Sequence, residues 1–380
     1  MVVYGKMILR WAIILLLSGA SQGVRAEESC WLGYDVGSSG IRVAMLDSGH
    51  SAKIALDFLS FVWRDNHLQA AIPATVEALQ RLPREAGLPE GCVAVAGGYS
   101  AWRLAVARSG PAQVAETLQA IAGQSGVYFF IIPQDVEGGY GYQAVQRQMG
   151  NRLTTPIVLD IGGGSLQFAG AASGWGTDLG QKSWRKRVCQ QIKQDPDPNC
   201  RPNPVGLQAL PQGRDLLAAE VAAAQAVLGS GFTVSALSAP VTRSIYPILA
   251  HLSAQGLLAG SVDAQGFERT ALASAFRLLA TLDEEQLRQM LGQCQSNPLR
   301  KACEQPFLST HVTDMLLLLL FMEGLDLQRM EVIEAEMNNV PGLLQDPRVR
   351  QWSKNYSCYL TRLRQHGVDA FKEESSHCPP

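Results

Sequence analysis

Two stretches of this chain place an aspartate at the end of an apolar run and follow it with glycine and serine. They are Asp35-Val36-Gly37-Ser38-Ser39-Gly40-Ile41-Arg42 and Asp160-Ile161-Gly162-Gly163-Gly164-Ser165-Leu166-Gln167. Glycine lets a backbone turn tightly and approach an anion, so that main-chain N–H groups point at phosphate oxygens, and serine hydroxyls add donors. The aspartate ahead of each loop is placed to hold a divalent cation, through water as magnesium prefers. A single Asp-x-Gly is an ordinary strand-to-turn sequence. Two of them, each opening a copy of the same unit, describe a phosphate clamp with a metal between its halves.

Between the loops lies Gln134-Asp135-Val136-Glu137-Gly138-Gly139-Tyr140-Gly141-Tyr142. It follows an apolar strand, Val127 to Ile132, so Glu137 is expected at the strand's C-terminal end, where clefts of α/β folds form. A carboxylate there can act as general base on an attacking water. The residues alone favour a first-turn or N-cap acid of the next helix.

The elements that must position these groups follow from apolar patterning. Trp31 to Val36, Ile41 to Leu46 and Ile54 to Val62 are three short runs separated by turn residues, which predicts a β-meander. Ile72, Val76 and Leu79 share a helix face, with Pro73 acceptable in a first turn. Strand Val93–Ala96, helix Val114–Ile121, strand Val127–Ile132 and a helix after Gly141 complete a βββαβαβα order. The order begins again with strands Ile157–Ile161 and Leu166–Ala171, helix Leu216–Leu228, strand Phe232–Leu237, and a helix over Ala271–Leu282. An apolar helix near Leu316 and a last strand Arg329–Ile333 follow. The second copy is interrupted by the turn-rich Asp195-Pro196-Asp197-Pro198-Asn199. Two copies of a mixed α/β unit imply two lobes facing each other across a cleft.

At 380 residues and 47% hydrophobic, the chain can bury two such lobes. Its formal net charge of -2 advertises no nucleic-acid surface. Lys6 and Arg10, the apolar run Trp11–Leu17 and the small residues up to Ala26 describe a secretory signal peptide, with too short a run to span a bilayer. Its removal would take away three cations and no carboxylate, giving a charge of about -5. The run Leu316–Met322 is expected to be a buried helix, so no stable membrane span is expected. All eight cysteines lie beyond Ala26, and an even count in an exported chain predicts disulfides. Cys189 with Cys200 and Cys294 with Cys303 are local pairs flanking turns, which leaves Cys358 and Cys378 for the C-terminal segment. A periplasmic or secreted location follows. The six histidines sit in no motif, and Trp184-Arg185-Lys186-Arg187 is expected to be a solvated basic face, with binding of an extended polyanion as the alternative.

Asp35-x-Gly-Ser-Ser-x-x-Arg42, Glu137-Gly-Gly-Tyr-Gly-Tyr142 and Asp160-Ile-Gly-Gly-Gly-Ser-Leu-Gln167 resemble, in order and spacing, the motifs of the actin-like phosphoanhydride hydrolases. Asp-Ile-Gly-Gly-Gly-Ser is similar to the exopolyphosphatase and guanosine pentaphosphate phosphohydrolase family. Gln167 and the Glu-Gly-x-Tyr-Gly-aromatic stretch are closer to the ectonucleoside triphosphate diphosphohydrolases. Ala96 to Arg103 occupies the place of a further motif in both, and Leu179-Gly180 resembles an element after the second loop.

The resemblance implies two actin-like (ribonuclease H-like) α/β lobes. Their expected limits are 27–150 and 151–345, with 346–380 returning to the first lobe. It implies that Asp35 and Asp160 organise Mg2+ or Ca2+ and its waters. Ser38, Ser39, Arg42, Gly162, Gly163 and Gly164 would hold phosphates, while Glu137 activates water and Ser165 and Gln167 orient it. It also makes the strands after Cys30 and Cys92 parallel neighbours, so that this pair can bridge. Val136 stands where these families often place a second Glu, and the family's glycine-rich turn is missing near Ser238–Thr242. The expected activity is removal of terminal phosphate from a nucleotide or from polyphosphate; the alternative is a non-catalytic binding or sensor protein on the same fold.

Overall fold

The computed structural model describes residues 30–378, apart from 66, 172, 198, 295, 296, 306, 336 and 337. The expected signal peptide, 1–26, lies outside the described residues.

The first sheet contains β1 (Trp31–Val36), β2 (Gly40–Ala44), β3 (Ser51–Ala55), β4 (Val93–Gly98) and β5 (Tyr128–Ile131), in spatial order β3-β2-β1-β4-β5. The first three form an antiparallel meander, and β4 and β5 run parallel to β1. The second sheet contains β6 (Ile157–Ile161), β7 (Leu166–Gly170), β8 (Gly174–Thr177), β9 (Val234–Ala236), β10 (Val262–Asp263), β11 (Gly266–Glu268) and β12 (Arg329–Val332). Its order is β10-β11-β12-β9-β6-β7-β8. From β8 to β12 it repeats the first sheet: an antiparallel meander, then two strands parallel to its first. β11 and β10 extend the far edge.

Around the first sheet pack α1 (Phe58–Asp65), α2 (Ile72–Glu85), α3 (Ser100–Ser109), α4 (Pro111–Ser125) and α5 (Gln134–Met149). The second carries α6 (Gln181–Arg187), α7 (Ala209–Leu228), α8 (Tyr246–Ala254), α9 (Arg269–Leu279), α10 (Glu284–Met290), α11 (Asn297–Ala302) and α12 (Phe307–Gly324). The chain closes with α13 (Val340–Gln345), α14 (Pro347–Lys354) and α15 (Tyr356–His366). Val340, Leu343, Trp352, Tyr359 and Leu363 of these last helices sit in the same core as β1, β4 and β5. Tyr359 Oη accepts a hydrogen bond from the Ile131 amide at 2.7 Å. α12 is apolar enough to pass for a membrane helix, but Leu308 to Met322 are all buried and it is the central helix of the second core.

Three expected elements differ, and in one of them, α7, the helix begins at Ala209 rather than Leu216. The apolar run Ile54–Val62 is not one strand: β3 ends at Ala55, and Phe58 begins α1. Asp57 starts that helix, accepting from the Ser60 amide and hydroxyl, and Phe58, Leu59 and Val62 then fall on one buried face. The helix expected after Gly141 begins at Gln134 instead, so Gly138, Gly139 and Gly141 lie inside α5. Glycine is a poor helix former, but at Gly138 it allows close packing. A Cβ there would meet Ala169 of β7 at 3.3 Å.

All four expected disulfides are present: Cys30–Cys92, Cys189–Cys200, Cys294–Cys303 and Cys358–Cys378. Cys30 and Cys92 are 4.8 Å apart at Cα because Trp31 of β1 pairs with Val93 of β4. Such a set belongs to an oxidising, extracytoplasmic compartment.

Candidate active site

Asp35 faces Arg42 across the β1–β2 hairpin, and Asp160 faces Gln167 across β6–β7, so the two loops occupy the same register in each lobe. Arg42 in turn pairs with Lys53 of β3, which lays Asp35, Arg42 and Lys53 in a row across the sheet. The loops meet. A Cβ on Gly163 would lie 2.7 Å from Ser38 Oγ and 2.9 Å from Ser39 Oγ, so only glycine lets the second loop come this close to the first.

The second loop is held from behind by the first turn of α6. The Gln181 and Lys182 amides donate to the carbonyls of Gly162 and Gly163 at 2.9 and 2.7 Å, and Ser183 Oγ donates to Gly164 O at 3.2 Å. Gly180 must be glycine, because a Cβ there would collide with the backbone of Gly162, Gly164 and Ser165. That turn is fixed in its own right: Gln181 Nε2 donates to Asp314 Oδ2 at 2.7 Å and to Thr310 Oγ1 at 2.9 Å, and Trp184 Nε1 to Thr313 O at 2.8 Å.

Asp35, Ser38, Ser39, Arg42, Glu137, Asp160, Gly162, Gly163 and Ser165 all line one inner pocket of about 220 Å3, together with Lys53, Tyr99 and Asn339. It adjoins a wider cleft of about 910 Å3, whose wall adds Lys182 and Arg243 and shares Arg42, Lys53 and Asp160. Two of the expected site residues stand apart from this lining. Gln167 lies beneath it, donating to Ser165 Oγ at 3.0 Å, and Gly164 turns to the other side of the loop, against Ser100 and Leu59. In place of the missing glycine turn, β9 leads into a π-helical turn, Val241–Ile245, and Ser238, Ala239, Pro240 and Thr242 form part of the wide cleft.

Glu137 is in the first turn of α5, close to but not at the end of β5, and it is buried. Its Oε2 lies 2.7 Å from Arg103 Nη1 of α3, and that nitrogen also donates to Ile132 O at 3.0 Å. Arg103 Nε and Nη2 are buried without partners. Burial raises the Glu137 carboxyl above its ordinary range, the Arg103 cation and its contact pull it back, and the charges of Asp35 and Asp178 add to the rise. Buried polar atoms left open in a cleft are atoms that a water or a substrate oxygen would satisfy.

Burial, then the charges of Glu137 and Asp35, push Asp160 up to about 7. Asp35 is also raised by burial, against the lowering effect of Arg42, the Asn339 amide at 3.4 Å, and Lys53. Carboxylates that crowd one another in this way are relieved by a divalent cation. Among the described residues no trio of carboxylate, histidine or cysteine groups is close enough to cage an ion directly. Asp35 and Asp160 therefore fit a cation held through its own waters.

Lys53 and Asn339 share this pocket with the expected residues, and Arg103 pairs with Glu137. Arg103 stood at the end of the Ala96–Arg103 motif, whereas Lys53 and Asn339 offered no local signal: strand register places the first, and the return of the C-terminal helices the second.

Two actin-like lobes with mixed sheets, closed over paired aspartate-glycine loops, define the class of this fold. Its solved counterparts are Ppx/GppA phosphatases. The chain superposes on the Ppx/GppA family member of Aquifex aeolicus with a TM-score of 0.57 and 16% identity, over 86% of this chain and 98% of that one. An exopolyphosphatase from Cytophaga hutchinsonii matches with a TM-score of 0.52 and 12% identity, over 83% and 96%. At these identities the likeness is one of fold. An uncharacterized protein of Streptomyces coelicolor is 31% identical over 147 residues, which is 36% of this chain and 41% of that protein. The chain thus spans less than half the length of the curated relative it matches. No protein-family model matches the sequence. The likeness to ectonucleoside triphosphate diphosphohydrolases rests on the motif residues alone.

Proposed function

We propose that this protein is an exported, metal-dependent phosphoanhydride hydrolase that removes terminal phosphate from polyphosphate or from nucleoside tri- and diphosphates. The observation that carries the reading is the meeting of Asp35, Glu137 and Asp160 with both glycine-serine loops in one pocket. A divalent ion, Mg2+ or Ca2+, bound through water at Asp35 and Asp160 would neutralise charge on the transferred phosphoryl group.

The chain's own residues supply the rest. Ser38, Ser39, Arg42, Gly162 and Gly163 hold the terminal phosphate, and Lys53 adds a second cation beside Arg42. Ser165, oriented by Gln167, positions a water against phosphorus. Glu137 takes that water's proton as its oxygen bonds to phosphorus; the anhydride P–O bond breaks, and its electron pair leaves on the bridging oxygen. The cations Arg42, Lys53, Lys182 and Arg243 along the wide cleft suit the remaining polyanion.

Phosphate release from a panel of polyphosphates and nucleotides, with Mg2+ or Ca2+ and with Glu137→Gln as control, tests the reading. No release from any of them by the folded protein would reject it. The Glu137–Arg103 pair favours one second reading, a binding or sensor protein that retains the clamp without turnover, because a carboxylate stabilised by a cation is a weaker base. Tight substrate binding without release would then be the outcome.

A further inference from the structure

β4 ends in Gly97 and Gly98, and the chain leaves it through Tyr99 into α3. Tyr99 stands at the N-cap of that helix. Serine, threonine, aspartate or asparagine is the usual choice there, because a short side-chain oxygen accepts from the first turn. The Tyr99 side chain makes no cap bond; it lines the inner pocket instead. Residues that break a local preference are expected where function demands it.

The backbone aims the side chain. The Tyr99 amide donates to Val36 O at 3.1 Å, which extends the parallel ladder of β4 on β1. The phenol then folds back over Gly97, the register partner of Asp35: a Cβ on Gly97 would lie 2.6 Å from Tyr99 Oη and 2.8 Å from its Cζ. Glycine at 97 makes the room that the end of the ring occupies. Tyr99 is 1% exposed, and its Oη is the only tyrosine oxygen buried without a hydrogen-bond partner among the described residues. Tyr34 and Tyr140, also buried, donate to Leu79 O at 2.6 Å and to Asp346 Oδ2 at 2.7 Å.

Burial first, and then the charges of Asp35, Tyr140 and Glu137, hold the phenol well above its ordinary value, against the pull of the Arg103 cation. It stays a neutral O–H donor, yet neither neighbouring carboxylate accepts from it. A buried O–H left open costs free energy unless something in the pocket accepts its hydrogen. Ser38, Ser39, Arg42 and Lys53 bring further donors to the same wall, so the acceptor that suits it is an anionic oxygen.

We propose that Tyr99 is a catalytic residue of the inner pocket, its hydroxyl donating to a non-bridging oxygen of the phosphoryl group held there. The bond would stabilise the charge spread over those oxygens during transfer. This role rests on the hydrolase reading for its reaction, but a bond to a bound phosphate oxygen does not require turnover.

Tyr99→Phe keeps the ring and removes only the unpartnered hydroxyl, so the urea midpoint should be no lower than that of wild type. Binding of inorganic phosphate to the full-length mature protein, measured by calorimetry with Mg2+ present, should weaken about tenfold or more. Tungstate soaked into wild-type crystals should place an oxygen within hydrogen-bond reach of Tyr99 Oη. Where the hydrolase reading holds, turnover should fall roughly 10²–10³-fold. Phosphate affinity unchanged in Tyr99→Phe, no phosphate bound by wild type, or tungstate in the inner pocket away from Tyr99 Oη each overturns the proposal. An inactive protein whose phosphate affinity still drops in Tyr99→Phe refutes the hydrolase and leaves the Tyr99 bond standing.

Discussion

Arg103 holds Glu137: the two charges are 2.7 Å apart and buried, and the same guanidinium nitrogen also donates to the Ile132 carbonyl. A general base needs a fixed position and a lone pair for the proton, and a carboxylate bonded through one oxygen keeps lone pairs to spare. Replacing Glu137 by Gln keeps the shape and removes the basicity. Turnover should fall by roughly 10²–10⁴-fold, while binding of the same polyphosphate or nucleotide, read by calorimetry, changes little. Near-native turnover would take Glu137 out of this role.

Arg103 also sets where Glu137 titrates. Its cation lowers a carboxyl that burial raises, so Arg103→Met should let the pKa climb further. The base would then be deprotonated only at higher pH, and the acid limb of the pH–rate profile should move upward, with Arg103→Lys restoring most of the shift. An acid limb unmoved in Arg103→Met means that some other group governs it.

Asp35 presses on the charge of Asp160, each near the end of an equivalent strand. Asp35→Ala and Asp160→Ala should each raise the Mg2+ or Ca2+ concentration needed for half-maximal activity. Metal titrations that superpose on wild type for both variants would exclude a metal between them.

Much of this site was legible because the signal was local. The loops 35–42 and 160–167 carry their own glycines and serines, and the apolar runs before them predict the strands that present them. Glu137 lies in the first helical turn that its own residues favour, but the start of that helix was expected seven residues later, because three glycines masked a helix whose close packing on Ala169 requires one of them. Phe58–Asp65 was hidden for the opposite reason: an apolar run is equally a buried strand or a buried helix face until Asp57 is recognised as its start. Lys53, Asn339 and the Asp314–Gln181 contact depend on register and on residues far apart in the chain, and no spacing announces them.

The bridge between Cys30 and Cys92, 62 positions apart, closes a loop that contains β1, the strand that carries Asp35. Replacing both cysteines by Ala should cost the first lobe roughly 2–4 kcal/mol, seen as a lower urea midpoint. Peptide mapping without reduction should recover Cys30 joined to Cys92, and a Cys30 linked elsewhere would contradict the parallel pairing of β1 with β4.

Asp314 sits at the base of the chain of contacts that ends in the second loop: its carboxylate holds Gln181, and the Gln181 amide holds Gly162. Burial pushes it up to about 7, against hydrogen bonds from Gln181 and Thr310 and the charge of Arg185. Since an unfolded aspartate titrates near 3.8, the folded chain holds more protons between these two values. The contribution of Asp314 to stability is therefore fully present below about pH 4 and is lost as pH rises through about 7. His311, one turn earlier and pushed down to about 4 by burial, slopes the other way up to its ordinary value, so the wild-type curve shows only the balance. Asp314→Asn isolates the aspartate, because asparagine keeps an acceptor for Gln181 and does not titrate. Relative to wild type it should gain stability as pH climbs from about 4 to about 7, by up to about 1.4 kcal/mol per pH unit. Urea midpoints taken across that range check this, and a constant gap between the two proteins would mean that Asp314 stays ionised in the core.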